Sequence, residues 1–494
     1  MSNSIFPKLC QTLAVSLGLL VVTPQPTLAF DLTRPATSFE EERQNSERTH
    51  VDVLKQFGGI YDDPDLSAYV DRVGQRVAAV SEMPDKPFIF TVLNTPMVNA
   101  FTTGGGYVYV TRGILASINS EAELAALLGH EIGHVTARHT ARRETRMKQD
   151  RAAAIGLGLL TGSLSTAIIA DGASDVMRQA YSRKQEAESD RLGVISMAKA
   201  GYDPSAMPTM LGALKREVGL MESMAGDQGG ISMPAWLSDH PETDDRVTDT
   251  VRQVKRMKGK PANGEIGRDA HMDAIDGVQF GQDPQLGFMQ GRTFVHPLAG
   301  VKFDLPQGYD LRDMQGALMA QKDDDGVVIF TAGRWPEDRE LSEFALSAWY
   351  SVTDGDLGQL DDLRNLTVNG LPAVMATKFV HSRLINVTIA GTSIRLDEGL
   401  VAGVTLLTEK SPTDTQLKEY QTILESFRTL TKAEQDAVPN PSVTVVTVQP
   451  GDTVQSLSAQ MLARTFKEER FHALNGIEGG VEAGMRVKII TDRK

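Results

Sequence analysis

The stretch from Ser120 to Met147 constrains this chain most, because it lacks proline and carries His130 and His134 four residues apart. Ser120 followed by Glu123 is typical of a capping box, so the sequence predicts a helix that begins there and continues to about Met147. Residues i and i+4 of an α-helix share one face, since the helix has about 3.6 residues per turn. Both imidazoles can therefore bind the same metal ion.

Glu131 directly follows the first histidine and lies about 100° around the helix from it. It is at the edge of the shared face, where it can reach a reacting water without being a natural metal ligand. A carboxylate in this position suits a general base beside a Lewis-acidic metal. The segment HEIGH, residues 130–134, therefore predicts a hydrolytic metal centre with Glu131 as its base.

The third ligand of such a centre is expected in residues 185–191, which have helical character and contain three carboxylates. Glu186 and Asp190 are four residues apart and share a helix face, whereas Glu188 lies about 200° away from Glu186. The sequence predicts Glu186 as the metal ligand and Asp190 as the carboxylate that orients a ligand histidine. Glu188 is assigned to the solvated face of the helix.

The N-terminus is typical of a secretory signal peptide, residues 1–29. Lys8 precedes an apolar run over Leu9–Val22, and the segment ends on a small residue, Ala29. The only cysteine, Cys10, lies within this segment. The mature chain is therefore expected to be exported without disulfides and to hold one zinc ion per chain with histidine and carboxylate ligands.

The charge distribution excludes one class of partner and leaves one segment open. The net charge is -14 and the sequence pI is near 5.2, without any long basic run. Nucleic-acid binding needs a basic patch, so no nucleic-acid partner is expected. Residues 152–170 carry no charge. Two interpretations of them stay open, a buried helical hairpin or flap and peripheral contact with a membrane.

At 494 residues the chain is long enough for about three domains. Stretches rich in Gly, Asp and Pro predict linkers at residues 261–292 and 435–443. They separate a mainly α domain with a small sheet, residues 30–260, from an α+β domain with a largely antiparallel sheet, residues 293–434. A small unit of residues 444–494 follows. The expected fold is multidomain, with the metal centre in the first domain.

HEIGH followed by Glu-x-x-x-Asp, the segment Asn99-Ala100-Phe101 and the segment from His240 to Arg246 together resemble the gluzincin metalloendopeptidases of the HtpX-like and CAAX prenyl protease type. The soluble periplasmic branch of that family is the best match. The resemblance implies a zincin-type fold for the first domain. It also implies that Asn99, Ala100 and Phe101 line a substrate cleft beside an edge strand, and that His240 and Arg246 lie near the zinc in catalytic roles.

The resemblance implies a periplasmic zinc metalloendopeptidase that degrades misfolded or unassembled envelope proteins. Pairing of substrate backbone with an edge strand would accept many sequences. Two roles stay open for His240, which either stabilises the oxyanion or occupies the open zinc position at rest. Two other functions also stay open: an envelope chaperone or assembly factor with a latched protease site, and a peptidoglycan-cleaving hydrolase.

Residues 444–494 resemble a LysM module. The resemblance implies a small βααβ fold that binds peptidoglycan, and hence association with the cell wall. The matching segments are Gln449-Pro450-Gly451-Asp452-Thr453-Val454, Leu474-Asn475-Gly476 and Val487-Lys488-Ile489.

Overall fold

The structure is a computed structural model. The chain forms two compact units. We call Thr27–Gln282 with Asn440–Lys494 the helical unit, and Asp283–Pro439 the sheet unit. The predicted signal peptide and the uncharged run at 152–170 lie outside the described residues. Within the described residues, no helix is long and apolar enough to span a membrane. The structure describes residues 37–145, 181–225, 236, 240, 244–257, 264–314, 317–322, 326–344, 361–381, 386–397, 399–409, 411–463 and 465–493.

The first part of the helical unit is mainly α, as the sequence predicts. Several of its helices begin after a residue whose side chain caps them. Asp63, for example, caps the helix Pro64–Ala78, and Pro64 occupies its first turn, where the missing N–H costs nothing. The described elements of this part are α1 Phe39–Gln56, α2 Pro64–Ala78, β1 Ile89–Leu93, β2 Ala100–Gly104, β3 Tyr107–Thr111, α3 Arg112–Ser117, α4 Glu121–Thr136, α5 Arg183–Lys199, α6 Ala206–Ala225, α7 Asp244–Arg256 and α8 Arg268–Ile275.

The HEIGH helix, α4, begins after Ser120 as predicted, but the prediction that it continues to about Met147 is wrong. It ends at Thr136, and every residue of it is buried. Arg138 takes a left-handed backbone conformation with φ of 58°, which an α-helix cannot contain. Residues 139–145 are helical again. The break turns the chain back towards α4.

A three-stranded sheet of order β1-β3-β2 packs beside the helices. β1 pairs with β3 in parallel, and β2 pairs with β3 antiparallel. β2 is therefore an edge strand, and it also packs against α4. The small sheet expected in the first domain is present.

The sheet unit contains a seven-stranded antiparallel sheet of order β10-β11-β12-β13-β9-β8-β7 and a smaller sheet of order β14-β6-β5-β4. The antiparallel sheet expected from the sequence is confirmed, with more strands than the hydrophobic pattern indicates. Its described elements are β4 Phe288–Gln290, β5 Thr293–His296, β6 Val301–Asp304, β7 Asp310–Met314, β8 Ala317–Lys322, β9 Gly326–Arg334, β10 Asp362–Val368, β11 Leu371–His381, β12 Asn386–Asp397, β13 Leu400–Thr408, α9 Asp414–Ser426, β14 Arg428–Thr429 and α10 Lys432–Asp436.

The C-terminal tail returns to the helical unit. It contains β15 Pro441–Thr447, α11 Val454–Ala459, α12 Lys467–Asn475 and β16 Arg486–Asp492, and its two strands pair antiparallel. Its apolar side chains share one core with α4, so the tail buries apolar surface against the helical unit as well as within itself. Those side chains are Val443, Val448, Leu457, Met461, Phe471, Leu474, Val487, Ile489 and Ile490.

This grouping differs from the linear division expected from the sequence. The predicted linker at residues 261–292 contains α8, whose residues His271, Met272 and Ile275 are buried. The predicted linker at residues 435–443 contains the start of β15. The tail is part of the helical unit rather than a separate body. Its resemblance to a LysM module stays a prediction.

Candidate metal centre

Helices α4 and α5 approach each other closely because glycines line their contact. A Cβ at Gly133 would lie 3.0 Å from the Cα of Ser189, and a Cβ at Gly129 would lie 3.2 Å from the Cα of Gly193. Both distances are shorter than ordinary contacts, so a larger residue would push the helices apart. Gly133 is the glycine within HEIGH. Close packing brings the carboxylates of α5 to the histidines of α4.

Four buried side chains, His130, His134, Glu186 and His240, offer ligand atoms that all lie within 4.8 Å of one another. The two Nε2 atoms of His130 and His134 are 3.0 Å apart. Each lies 3.4 Å from a carboxylate oxygen of Glu186. The structure thus brings together the three residues that the sequence predicts as metal ligands.

These separations fit zinc. Ligand atoms about 2.0–2.1 Å from a tetrahedral zinc ion are roughly 3.3 Å from one another. His130 also has its Nδ1 atom 2.8 Å from Asp190, so Nδ1 carries a proton that the carboxylate accepts, and Nε2 is the nitrogen that would give up its proton to bind a metal. Acceptor atoms that converge in a buried place need a cation between them. The donor set of two imidazoles and a carboxylate is one that zinc prefers.

Arg246, on α7, holds the two carboxylates of α5. Its Nε and Nη2 atoms donate to Asp190 at 2.9 and 2.8 Å, and its Nη1 atom lies 2.9 Å from Glu186. A guanidinium that binds a carboxylate through two N–H groups fixes the orientation of that carboxylate as well as its charge. Arg246 therefore contacts one predicted ligand, Glu186, and the carboxylate of Asp190 that orients His130.

The electrostatics of the cluster favour positive charge at its centre. Burial opposes ionisation of His130, but Asp190 and Glu186 outweigh it and raise the pKa of His130 to about 9. Burial also opposes ionisation of Asp190, yet Arg246 holds its pKa at about 2. The neighbouring histidines keep the pKa of Glu186 well below its ordinary value despite burial. Both carboxylates are thus anionic beside the imidazoles, as a metal site requires.

The part of the chain that contains this site matches a known protein family. Residues 64–253, which span the site, match the model of Peptidase family M48. The described site and this match fall on the same residues. This segment is similar to the peptidase domain of that family.

The relatives are proteases of bacteria and mitochondria. The beta-barrel assembly-enhancing protease of Yersinia pestis is 32% identical over 40% of this chain and 41% of its own length. The protein of that name from Escherichia coli (strain K12) is 29% identical over 42% of this chain and 43% of its own. The mitochondrial metalloendopeptidase OMA1 of Schizosaccharomyces pombe is 31% identical over 42% of this chain and 60% of its own. The chain thus spans about half the length of these relatives.

Within this segment, Glu131 and His240 lie side by side at the predicted ligands. Both are fully buried, and the Nε2 atom of His240 is 3.7 Å from Glu131 Oε1. The Nδ1 atom of His240 lies 3.1 Å from Glu186 and 3.3 Å from His130 Nε2. Its ring stacks on Trp236, with centroids 4.1 Å apart. His240 is therefore within the ligand cluster itself.

The predicted substrate segment, residues 99–101, lies at the edge strand β2. Asn99 immediately precedes β2, is buried, and exchanges backbone and side-chain hydrogen bonds with Thr111. Ala100 and Phe101 are the first residues of β2 and are buried too. Phe101 packs on Tyr109, with ring centroids 4.9 Å apart. The segment thus offers a strand edge beside α4, while these side chains serve the core.

Three residues at the site of the domain were not found from the sequence. Tyr181 stacks on His134 with ring centroids 3.8 Å apart, and Trp236 stacks on His240. His139 lies 2.9 Å from His134, Nδ1 to Nδ1. Single aromatic residues and a lone histidine give no spacing signal. A helix predicted to be continuous also placed His139 about 140° around from His134.

Glu188 also differs from its sequence assignment. Its side chain is 39% exposed, and its Oε2 atom lies 3.2 Å from the Nε2 atom of His139. The solvated-face assignment is therefore only half right. Through His139 this carboxylate is connected to a ligand of the cluster.

Proposed function

We propose that this chain is a zinc-dependent metalloendopeptidase that hydrolyses misfolded or unassembled envelope proteins in the periplasm. The observation that carries the proposal is the buried cluster of His130, His134 and Glu186 with Glu131 beside it. The names of the bacterial relatives support an envelope substrate. The predicted signal peptide supports export to the periplasm.

The residues divide the chemistry among them. Zinc held by His130, His134 and Glu186 would polarise the scissile carbonyl and lower the pKa of a reacting water. Glu131 would take the proton of the attacking water on its carboxylate and deliver it to the leaving amine. Its complete burial keeps this proton transfer away from bulk solvent.

Substrate would be held through its backbone. β2 is paired on one side by β3 and packs against the helix that carries the histidines. A peptide in extended form can add to such an edge through main-chain hydrogen bonds, which depend little on its sequence. This mode suits a protease whose clients share a lack of structure rather than a motif. The segment Asn99, Ala100 and Phe101 would set the position of that edge.

We propose that His240 is a latch that occupies the open zinc position at rest. Its position among the ligand atoms supports this role over stabilisation of the oxyanion, because an oxyanion donor need only face the reacting carbonyl. Substrate would have to displace the imidazole. Arg246, bound to Asp190 and Glu186, would hold the remaining ligands in place meanwhile.

The latch also favours a second candidate function. A chain whose site is closed at rest can hold a client for assembly and degrade it only when assembly fails. This candidate differs from the first in turnover on unfolded protein, which would be low for the wild type and increased by opening the latch. Binding of peptidoglycan by the tail, and cell-wall association with it, stay predictions from the resemblance of residues 444–494.

The decisive experiment is casein digestion by the exported form of the chain, with zinc and with a chelator. Glu131→Gln should lower turnover by about 100- to 10,000-fold while zinc stays at one per chain, because it removes a base and no ligand. Glu186→Ala should lose the zinc as well. Glu222→Gln, at an exposed carboxylate of α6, is the matched control and should behave as wild type. Wild-type turnover in Glu131→Gln at equal zinc content would refute the mechanism.

A further inference from the structure

The two histidines of HEIGH are supported by different partners at their Nδ1 atoms. The Nδ1 atom of His130 lies 2.8 Å from the carboxylate of Asp190. The Nδ1 atom of His134 lies 2.9 Å from the Nδ1 atom of His139. A contact between two imidazole nitrogens requires one to donate and the other to accept. The contact between His134 and His139 can therefore be interpreted only after the donor and the acceptor have been assigned.

The proton assignment follows from the ligand role of His134. Its Nε2 atom faces His130 and Glu186 in the cluster, so a metal ligand there leaves the proton of His134 on Nδ1. This N–H then donates to Nδ1 of His139, whose own proton is on Nε2. That second N–H points to Glu188 Oε2, 3.2 Å away, which accepts it. One chain of donors thus runs from His134 through His139 to Glu188.

The backbone holds His139 in this position. Arg138, the residue before it, has a φ of 58°, a conformation that costs free energy for any residue other than glycine. The guanidinium of Arg138 donates to the buried carboxylate of Glu42 at 2.7 Å and to the carbonyl of Thr37 at 2.7 Å. These contacts offset the cost. They fix the break after α4 that turns His139 back onto His134.

We propose that His139 and Glu188 are positioning residues that fix the tautomer and orientation of His134 and thereby set the affinity of the site for zinc. The inference rests on the proposed zinc site. It gives the half-exposed Glu188 a task at His134 that corresponds to the task of the buried Asp190 at His130. A core histidine with no such task would only fill space beside Tyr181.

Three substitutions at His139 distinguish a positioning role from a histidine that only fills space. The amide oxygen of Asn lies near the position of Nδ1, so His139→Asn keeps an acceptor for His134. In His139→Gln the amide lies near the position of Nε2 instead, which keeps the contact with Glu188 and loses the acceptor. His139→Leu loses both. Loss of a partner that orients a ligand typically costs 10- to 100-fold in metal affinity.

The experiment measures zinc dissociation constants of the full chain by competition with a chromogenic chelator. We expect His139→Leu and His139→Gln to bind zinc roughly 10- to 100-fold more weakly than wild type, and His139→Asn to stay within a few-fold. Glu188→Gln should weaken binding by a smaller factor, up to about tenfold, and should have no effect in the His139→Asn background, where the contact is already absent. Asp190→Asn serves as the comparison on the other histidine, and Glu222→Gln as the neutral control.

The outcomes also separate this inference from the proposed function. Failure of the wild-type chain to bind one zinc ion would overturn the proposed function and, with it, this inference. If wild type binds zinc, equal affinity in His139→Leu, or equal weakness in the Asn and Gln variants, overturns the positioning role alone. Melting temperatures of the metal-free variants verify folding. Should His139→Leu not fold, the Asn and Gln pair and the half-exposed Glu188 still decide the question.

Discussion

The metal centre and the tail junction both bury ionisable groups in the helical unit, and they do so in opposite ways. At the metal centre, His130, His134 and Glu186 turn acceptor atoms towards one another. At the tail junction, Lys488 of β16 donates to the carbonyls of Ala116 and Ile118 at 2.6 and 2.8 Å. Converging acceptors call for a cation, whereas the lysine donors already have acceptors.

The comparison distinguishes a buried ionisable group that stabilises the fold from buried groups that can bind a cation. Burial lowers the pKa of Lys488 to about 7, so that near neutral pH its amine is easily neutral, with two N–H groups for two carbonyls. Both N–H groups of the neutral amine then have acceptors within the protein. The metal centre keeps Asp190 anionic by means of Arg246 and Glu186 anionic by means of the neighbouring histidines, and its ligand atoms are directed inward. The junction therefore contributes to the stability of the unit, and the centre to its chemistry.

The largest test of this comparison is removal of the tail, residues 440–494. Its apolar side chains complete the core around α4, and each buried one contributes about 1.5–3 kcal/mol. We therefore expect the shortened chain to lose the cooperative unfolding of the helical unit, as measured by thermal melting followed by circular dichroism.

A point substitution repeats the test within the full chain. Phe471→Ala, at a fully buried position, should lower the free energy of unfolding by about 3–5 kcal/mol. Leu462→Ala, at an exposed position of the same tail, should change it by less than about 0.5 kcal/mol. A shortened chain that melts as the full chain does would support the separable tail expected from the sequence.

A medium effect is expected from His240→Ala, which acts at the metal centre alone. Removing the latch should increase casein hydrolysis at matched zinc content, about tenfold if nine in ten wild-type molecules are closed. The melting temperature of the metal-free protein serves as the control for folding. A fall in turnover of 100-fold or more would instead assign His240 to the oxyanion. Unchanged turnover would exclude both roles.

The last prediction concerns the tail junction and pH. The pKa of Lys488 is lowered in the folded state, so between about pH 7 and its ordinary value of 10.5 only the unfolded chain binds the proton. The free energy of unfolding should therefore rise with pH in this window, by up to roughly 1.4 kcal/mol per unit, and lose that rise below it. In Lys488→Met this contribution should be absent.

Urea unfolding of the two proteins at pH 7, 8 and 9 checks the slope. Lys255→Met, at an exposed lysine of α7, is the control and should keep it. The charged groups that face Lys488 are Glu123, Glu217, Arg268 and Arg216. Parallel slopes in wild type and Lys488→Met would mean that this lysine stays charged through the window.

The sequence predicts which side chains meet at the candidate metal centre, because their meeting depends on helical spacing. His130 and His134 share a face of α4, and Glu186 and Asp190 share a face of α5, at the spacing of four residues that the helix imposes. What the sequence does not contain is the turn at Arg138. A left-handed residue other than glycine depends on partners distant in the chain, here Glu42 and Thr37, and hence His139 was missed.

The tail shows a different limit. The resemblance of residues 444–494 to a LysM module implies the order strand, helix, helix and strand, and the described elements of the tail have that order. The surface on which those elements pack is not local. Apolar residues such as Phe471 and Val487 are the same in a small independent module and in one edge of a larger core. The pattern therefore predicts that one face of the tail is buried, but it does not predict which part of the chain covers that face.

The contact between Lys488 and Ala116 joins positions 372 residues apart in the sequence. The ribosome must make the whole sheet unit before it makes β16, so the core around α4 is completed late. Closing a contact over so long a loop is slow, since chain entropy must be lost before the contact gains anything. We therefore expect the nascent chain to lack a working metal centre through most of its synthesis.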